Sequence, residues 1–161
     1  MTIHDFDMAR FLLGDVEEVY AAGGVMVDPA IGAAGDIDTV VITLKFKSGA
    51  IGTIDNSRRA VYGYDQRVEV FGSKGSARTE NNFPDAVSVS TAEGVQHSLP
   101  LNFFMERYAA AYQAELAAFV QCIVQDSPPP VTGLDGRAPV VMAKAALKSY
   151  KENRPIRLNE I

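Results

Sequence analysis

Hydrophobic and polar positions alternate along this chain with two different periods, and the changes of period mark out its elements. The opening "IHDFDMARFLLG" places Phe6, Ala9, Leu12 and Leu13 at helical spacing. That predicts a helix from near Ile3, with Thr2 and Asp5 as a capping box and Gly14 as its stop. "EEVYAAGGVMV", from Glu17 to Val27, reads as a strand, and Asp28 to Asp36 as a turn-rich connection. Strict alternation follows, with Val40, Ile42, Leu44 and Phe46 set against Val41, Thr43, Lys45 and Lys47. A Ser48–Gly49 turn then leads to a strand through Ile51 and Thr53. Two further hairpins turn at Gly72 to Gly75 and near Glu93–Gly94.

After Asn102 the period lengthens. "FFMERYAAAYQAELAAFVQCIVQ" predicts one long helix with Phe104, Tyr108, Tyr112, Leu116, Phe119 and Ile123 on a single face. The prolines of "DSPPPVTG" end it. A second helix, from about Asp135 to Glu152, is expected to bury Val140, Ala143, Ala146, Leu147 and Tyr150, and "RPIRL" reads as a short last strand. Short turns between strands imply antiparallel pairing. The predicted fold class is α+β, an open, mostly antiparallel sheet with helices packed on one face. Val41 and Phe71, lying between Lys45 and Glu69, make the second sheet face half apolar. That pattern marks a partner surface, and homo-oligomerisation through the sheet face is expected.

Composition narrows the function classes. The 161 residues favour one domain, and 47% hydrophobic content suffices for a core. With 20 Asp and Glu against 15 Lys and Arg, the net charge of −5 offers no basic footprint for nucleic acid or anionic membrane. Tryptophan is absent, which argues against a stacking platform for single strands. The single cysteine, Cys122, reads as a buried small hydrophobe in a reducing compartment. No signal sequence and no membrane-length apolar run is visible, so the expected location is cytoplasmic.

Few residues offer chemistry. His4 and His97 are far apart and one cysteine completes no metal site, so no metal is expected, and His97 reads as a surface residue. "GSKGS" at Gly72 to Ser76 lies between strands and reads as a hairpin turn, not a phosphate loop; no G-x-G-x-x-G occurs. His4 and Asp7 share a face of the first helix. A purely structural account makes Asp5 a cap, Asp7–Arg10 a surface pair and His4 a solvent residue. A functional account makes His4 a base, which needs a partner to orient it. In "RRAVYGYDQR", Tyr62, Tyr64, Asp65 and Gln66 crowd around Gly63. This is either a wide solvated loop with aromatic edges packing the sheet or a rim offering hydroxyl and amide groups to a polyhydroxylated ligand.

Four stretches carry a resemblance: "IHDFDMARFLLG", "GDIDTVVITLKFKSGAIGTIDNSRRAVYGYDQRVEVFGSKG", "FMERYAAAYQAELAAFV" and "PPPVTGLDGR". In this order they resemble the C-terminal domain of an inositol 2-dehydrogenase-like member of the glucose–fructose oxidoreductase/inositol dehydrogenase/MocA oxidoreductase family, from residue 1 to about 158. The resemblance implies that residues 1–161 form a substrate-binding and oligomerisation domain, with an N-terminal Rossmann domain binding NAD or NADP outside this chain. It implies that His4 is the catalytic histidine, taking a hydroxyl proton as hydride leaves for the nicotinamide. Asp7 falls where inositol dehydrogenases place a carboxylate near substrate hydroxyls. Tyr62 and Tyr64 match the tyrosine-bearing loop that closes on the sugar or cyclitol ring.

The family's aspartate four residues before His4 would stand just before Met1, and its lysine belongs to the Rossmann half. The chain is therefore expected to be a truncated half of a dehydrogenase oxidising a secondary alcohol to a ketone, with myo-inositol the favoured substrate. By itself it is expected to be inactive and to hold no cofactor. The second reading is a stand-alone, non-catalytic oligomerisation or ligand-binding domain, with Met1 a true start.

Overall fold

The computed structural model describes residues 2–161; Met1, and with it the reading of a natural start, lies outside them. The described chain forms two compact units, one from the residues up to Arg59 together with Pro130–Ile161, the other Ala60–Pro129. Each is built differently.

In the first unit, helix α1 (Ile3–Leu13) is followed by strand β1 (Val16–Gly24), a short helix α2 (Pro29–Ala33), and strands β2 (Thr39–Phe46) and β3 (Ile51–Ser57). It resumes with helix α5 (Gly133–Glu152), strand β8 (Ile156–Arg157) and a terminal 3-10 turn. The strands form one antiparallel sheet in the order β3-β2-β1-β8. The alternation in β2 is realised in full: Val40, Ile42, Leu44 and Phe46 are buried, while Val41, Thr43 and Lys45 are exposed. The buried set joins Val19, Ala21, Ile54 and Ile156 from the neighbouring strands, Phe6 of α1, and Met142, Ala145 and Ala146 of α5. Helices α1 and α5 thus supply the core on one sheet face, as expected of packed helices; the helix predicted after Asn102 belongs to the other unit.

Several local expectations change. Thr2 has helical dihedrals and its side chain caps nothing, so the predicted capping box is absent. Leu12 is exposed, whereas Ala9 and Leu13 pack on the core. β1 stops at Gly24 because the amides of Met26, Val27 and Asp28 turn inward to the fully buried Asp38 carboxylate, at 2.8, 2.9 and 2.9 Å. Close approach requires Gly23, since a Cβ there would stand 2.5 Å from the Thr39 carbonyl oxygen. On α5, Val140, Leu147 and Tyr150 are exposed; Met142, Ala145 and Ser149 are buried instead.

The second unit contains strands β4 (Val68–Gly72) and β5 (Gly75–Thr79), strands β6 (Ser88–Thr91) and β7 (Gly94–His97), and helices α3 (Phe104–Arg107) and α4 (Ala109–Gln125). The two hairpins turn where predicted but form separate two-stranded sheets. Phe71 and Glu69 therefore do not share the second face of the main sheet with Val41 and Lys45. No residue from Ala60 to Pro129 is buried. The predicted long helix is interrupted at Tyr108 (φ −111°, ψ 13°). Its apolar stripe of Tyr112, Leu116, Phe119 and Ile123 does share a face, and that face is exposed. Cys122 is only half-buried and its thiol donates to the Pro128 carbonyl, 3.6 Å away.

Candidate functional site

α1 carries the first pair. Phe6, 1% exposed, pins the helix to the core, and Ala9 and Leu13 flank it. Side chains three and four apart share a helix face, so His4, Asp7, Met8 and Phe11 point together from the opposite side. His4, Asp7 and Met8 are exposed there, and Phe11 is 82% exposed.

The partner expected for Asp7 is engaged elsewhere. Arg10 donates to Asp135 at 3.0 Å and to Asp15 at 3.3 Å. Asp135 is the N3 residue of a capping box that opens α5, accepting from the Thr132 amide at 2.9 Å and hydroxyl at 2.8 Å. Those two bonds first, and the Arg10 guanidinium second, lower the Asp135 pKa to about 2. Among the described residues, neither His4 nor Asp7 makes a hydrogen bond or an ion pair with a side chain of the fold.

The second pair lies on the loop of the other unit, between Ala60 and Arg67. Gly63 has φ +135°, and a Cβ there would stand 2.7 Å from the Pro100 carbonyl oxygen, so glycine is required. Beyond it, the Tyr64 amide donates to the Leu101 carbonyl at 2.9 Å. The Tyr64 ring meets Tyr108 edge-on, with centroids 5.9 Å apart. The Tyr62 hydroxyl donates to Asp65, which raises the phenol pKa. Asp65 also receives Arg67 and Asn81, the latter at 2.7 Å. The structure therefore brings His4 to Asp7 on one helix and Tyr62 to Tyr64 on one loop.

Sequence reasoning missed the roles of Arg67 and Asn81. Arg67 stands within the conspicuous loop, but Asn81 is distant in sequence and only the fold delivers it. His97 is exposed on β7, as expected of a surface residue. Among the described residues, no group of three or more His, Cys, Asp or Glu is placed to hold a metal ion. No helix there is long and apolar enough to cross a membrane.

A nicotinamide dinucleotide needs a crevice at the carboxyl edge of parallel strands, with a glycine-rich turn leading into a helix N-terminus. Every strand pairing among the described residues is antiparallel. The residues present do not fit that group.

Comparison with known proteins gives the family. Residues 1–158 match the model of an oxidoreductase family's C-terminal alpha/beta domain. The chain is 52% identical over 162 aligned residues to the myo-inositol 2-dehydrogenase of Thermotoga maritima, covering 100% of this chain and 48% of that protein. A crystal structure of a myo-inositol dehydrogenase from Corynebacterium glutamicum superposes with a TM-score of 0.95 at 42% identity, over 98% of this chain and 48% of that one. A scyllo-inositol dehydrogenase from Lactobacillus casei, solved with bound NAD(H) and scyllo-inositol, gives a TM-score of 0.90 at 27% identity, over 99% of this chain and 47% of that one. The chain thus spans about half the length of the curated relatives it matches. It belongs to the glucose–fructose oxidoreductase/inositol dehydrogenase/MocA oxidoreductase family, as that family's C-terminal alpha/beta domain.

Proposed function

We infer that this chain is the substrate-binding and oligomerisation half of a cytoplasmic, NAD-dependent inositol dehydrogenase that oxidises a secondary alcohol of a cyclitol or sugar to a ketone. Myo-inositol is the favoured substrate. The observation that carries this reading is the outer face of α1. Arg10 turns away to Asp135 and Asp15, and His4 and Asp7 are left exposed with no task in the fold. Asp7 would accept hydrogen bonds from ring hydroxyls. His4 would take the proton of the reacting hydroxyl as its general base. Tyr62 and Tyr64 would supply further contacts to the ring. The two-electron acceptor, NAD or NADP, has no seat among these residues and would be held by a further domain.

Phe11 and Met8 beside Asp7 support this. A helix apolar on both sides is normally sandwiched, and a covered α1 would place the His4–Asp7 pair in a water-poor pocket. The isolated chain, given NAD and myo-inositol, is therefore expected to produce no NADH above background. Robust turnover that disappears in His4→Ala would overturn the half-enzyme reading.

The open face of the main sheet favours the oligomerisation role. Val41 and Ile51 are 49% and 77% exposed on it. Sedimentation should show self-association that Val41→Lys abolishes, and a strict monomer at high concentration would remove that role. Association without any myo-inositol binding would instead favour a stand-alone oligomerisation domain.

A further inference from the structure

The Asp65 carboxylate receives four hydrogen bonds. Oδ1 accepts from Arg67 Nε at 2.8 Å and Asn81 Nδ2 at 2.7 Å; Oδ2 accepts from the second Arg67 nitrogen at 2.9 Å and from the Tyr62 hydroxyl. An ionised carboxylate offers roughly four acceptor sites, so Asp65 has none left for a ligand, and its side chain is only 14% exposed. Asn81 is fixed in turn, its Oδ1 accepting the Gln66 amide at 2.9 Å. The two remaining partners of Asp65 face outward, with Tyr62 and Arg67 both exposed.

This arrangement sets what each group can offer. The Tyr62 proton is committed to Asp65, so its oxygen can only accept. Arg67 has spent two N–H groups on Asp65, also donates towards the Tyr62 oxygen, and can only donate with those left over. We propose that Asp65 is a positioning residue fixing this polarity, and that Tyr62 and Arg67 together bind one hydroxyl group of a polyol, its O–H donating to the Tyr62 oxygen and its own oxygen accepting from Arg67. A hydroxyl satisfies both sides, whereas a carboxylate cannot donate to Tyr62 and an ammonium cannot accept from Arg67. The inference rests on the polyol reading of the site and adds Arg67 as a ligand-binding residue.

The test uses the full chain with ring-labelled tyrosine, Tyr62→Phe assigning the Tyr62 resonance. The hub requires opposite changes in the Tyr62 titration: Asp65→Asn lowers it, because the acceptor charge is gone, and Arg67→Gln raises it further, because a nearby cation is gone. A loop that had merely come apart would bring both variants to the ordinary tyrosine value. At neutral pH, the Arg67 Nε–H resonance should persist in Tyr62→Phe and vanish in Asp65→Asn. Adding myo-inositol should shift the Tyr62 signal saturably, with affinity about tenfold weaker in Arg67→Gln, the loss of roughly one hydrogen bond.

Titrations that move together, or an unperturbed Tyr62 in the wild type, overturn the hub. An inositol response at Tyr64 in that case still upholds the proposed function. Opposite titrations with no inositol response at any tyrosine uphold the hub's polarity and overturn both its polyol ligand and the function on which that ligand rests.

Discussion

Replacing Phe6 with alanine should loosen α1 from α5 and the shared core while the sheet itself persists. Phe6 is the one fully buried side chain of that helix, and a Phe→Ala change in a core costs about 3–5 kcal/mol. Little else holds α1. Ala9 and Leu13 are only partly buried, and the Arg10–Asp135 pair is about a third exposed on each side, a contact worth under about 1 kcal/mol. With 11 residues, α1 is too short to be stable by itself, since isolated helices below ~12–15 residues are marginal. The loss should therefore appear as local opening. At 1.4 kcal/mol per decade, amides of α1 should exchange roughly a hundredfold faster or more. Hydrogen exchange read by mass spectrometry on peptides from α1 and from β2 separates the cases. Unchanged exchange in α1 would refute the anchoring role. Equal acceleration in β2 would show that Phe6 supports the whole core and not the helix that carries His4 and Asp7.

Two further predictions concern the buried carboxylate and the tyrosine loop. Burial works against ionisation of Asp38, but three backbone amides and the Thr39 hydroxyl outweigh it and lower its pKa to about 2. Because the folded value lies below the unfolded one, this carboxylate stabilises the fold fully above about pH 4 and loses that effect as the pH falls towards 2. Urea titrations across this range should show Asp38→Asn less stable at neutrality and less sensitive to acid; an unchanged acid slope would contradict the assignment. Gly63→Ala should cost about 1–3 kcal/mol and weaken the near-ultraviolet dichroism of the Tyr64–Tyr108 contact. Gly75→Ala, at φ +141° with open space around it, should leave that signal intact; equal losses in both would refute the Pro100 clash.

The fold was legible wherever one residue pattern had one physical solution. β2 alternates cleanly, so its register against β1 and β3 follows from which side is apolar. On α5 the residues from Val140 to Leu147 are all apolar or small except Lys144, so the period leaves its phase open by about one residue. Close approach to β1 decides it. Ala145 and Ser149 are small enough to face the sheet, and the Ser149 hydroxyl accepts from the Ala21 amide at 3.0 Å while donating to the Arg154 carbonyl at 2.6 Å. A leucine in that place could satisfy neither group, and a buried unpaired amide is costly. On α4 the phase was right and the environment was not. Periodicity states which side chains share a face, never what that face meets.

The site shows the same division between local and distant forces. Residue type and spacing singled out the His4–Asp7 and Tyr62–Tyr64 clusters, the family resemblance supplied the roles proposed for them, and the helix rule offered Arg10 as the natural partner of Asp7. A surface pair of that kind is worth about 0.2–0.5 kcal/mol. Asp135 competes from 125 residues away with two advantages. Its carboxylate is held in place by the Thr132 amide and hydroxyl as well as by Arg10, so the pairing costs Asp135 little further ordering. It also lies on α5, against which α1 packs, so one contact fixes both the salt bridge and the helix pair. The long-range partner wins, and it clears the outer face of α1. What leaves Asp7 without its local partner is thus a capping residue on another helix, a dependence that no window of neighbouring residues could reveal.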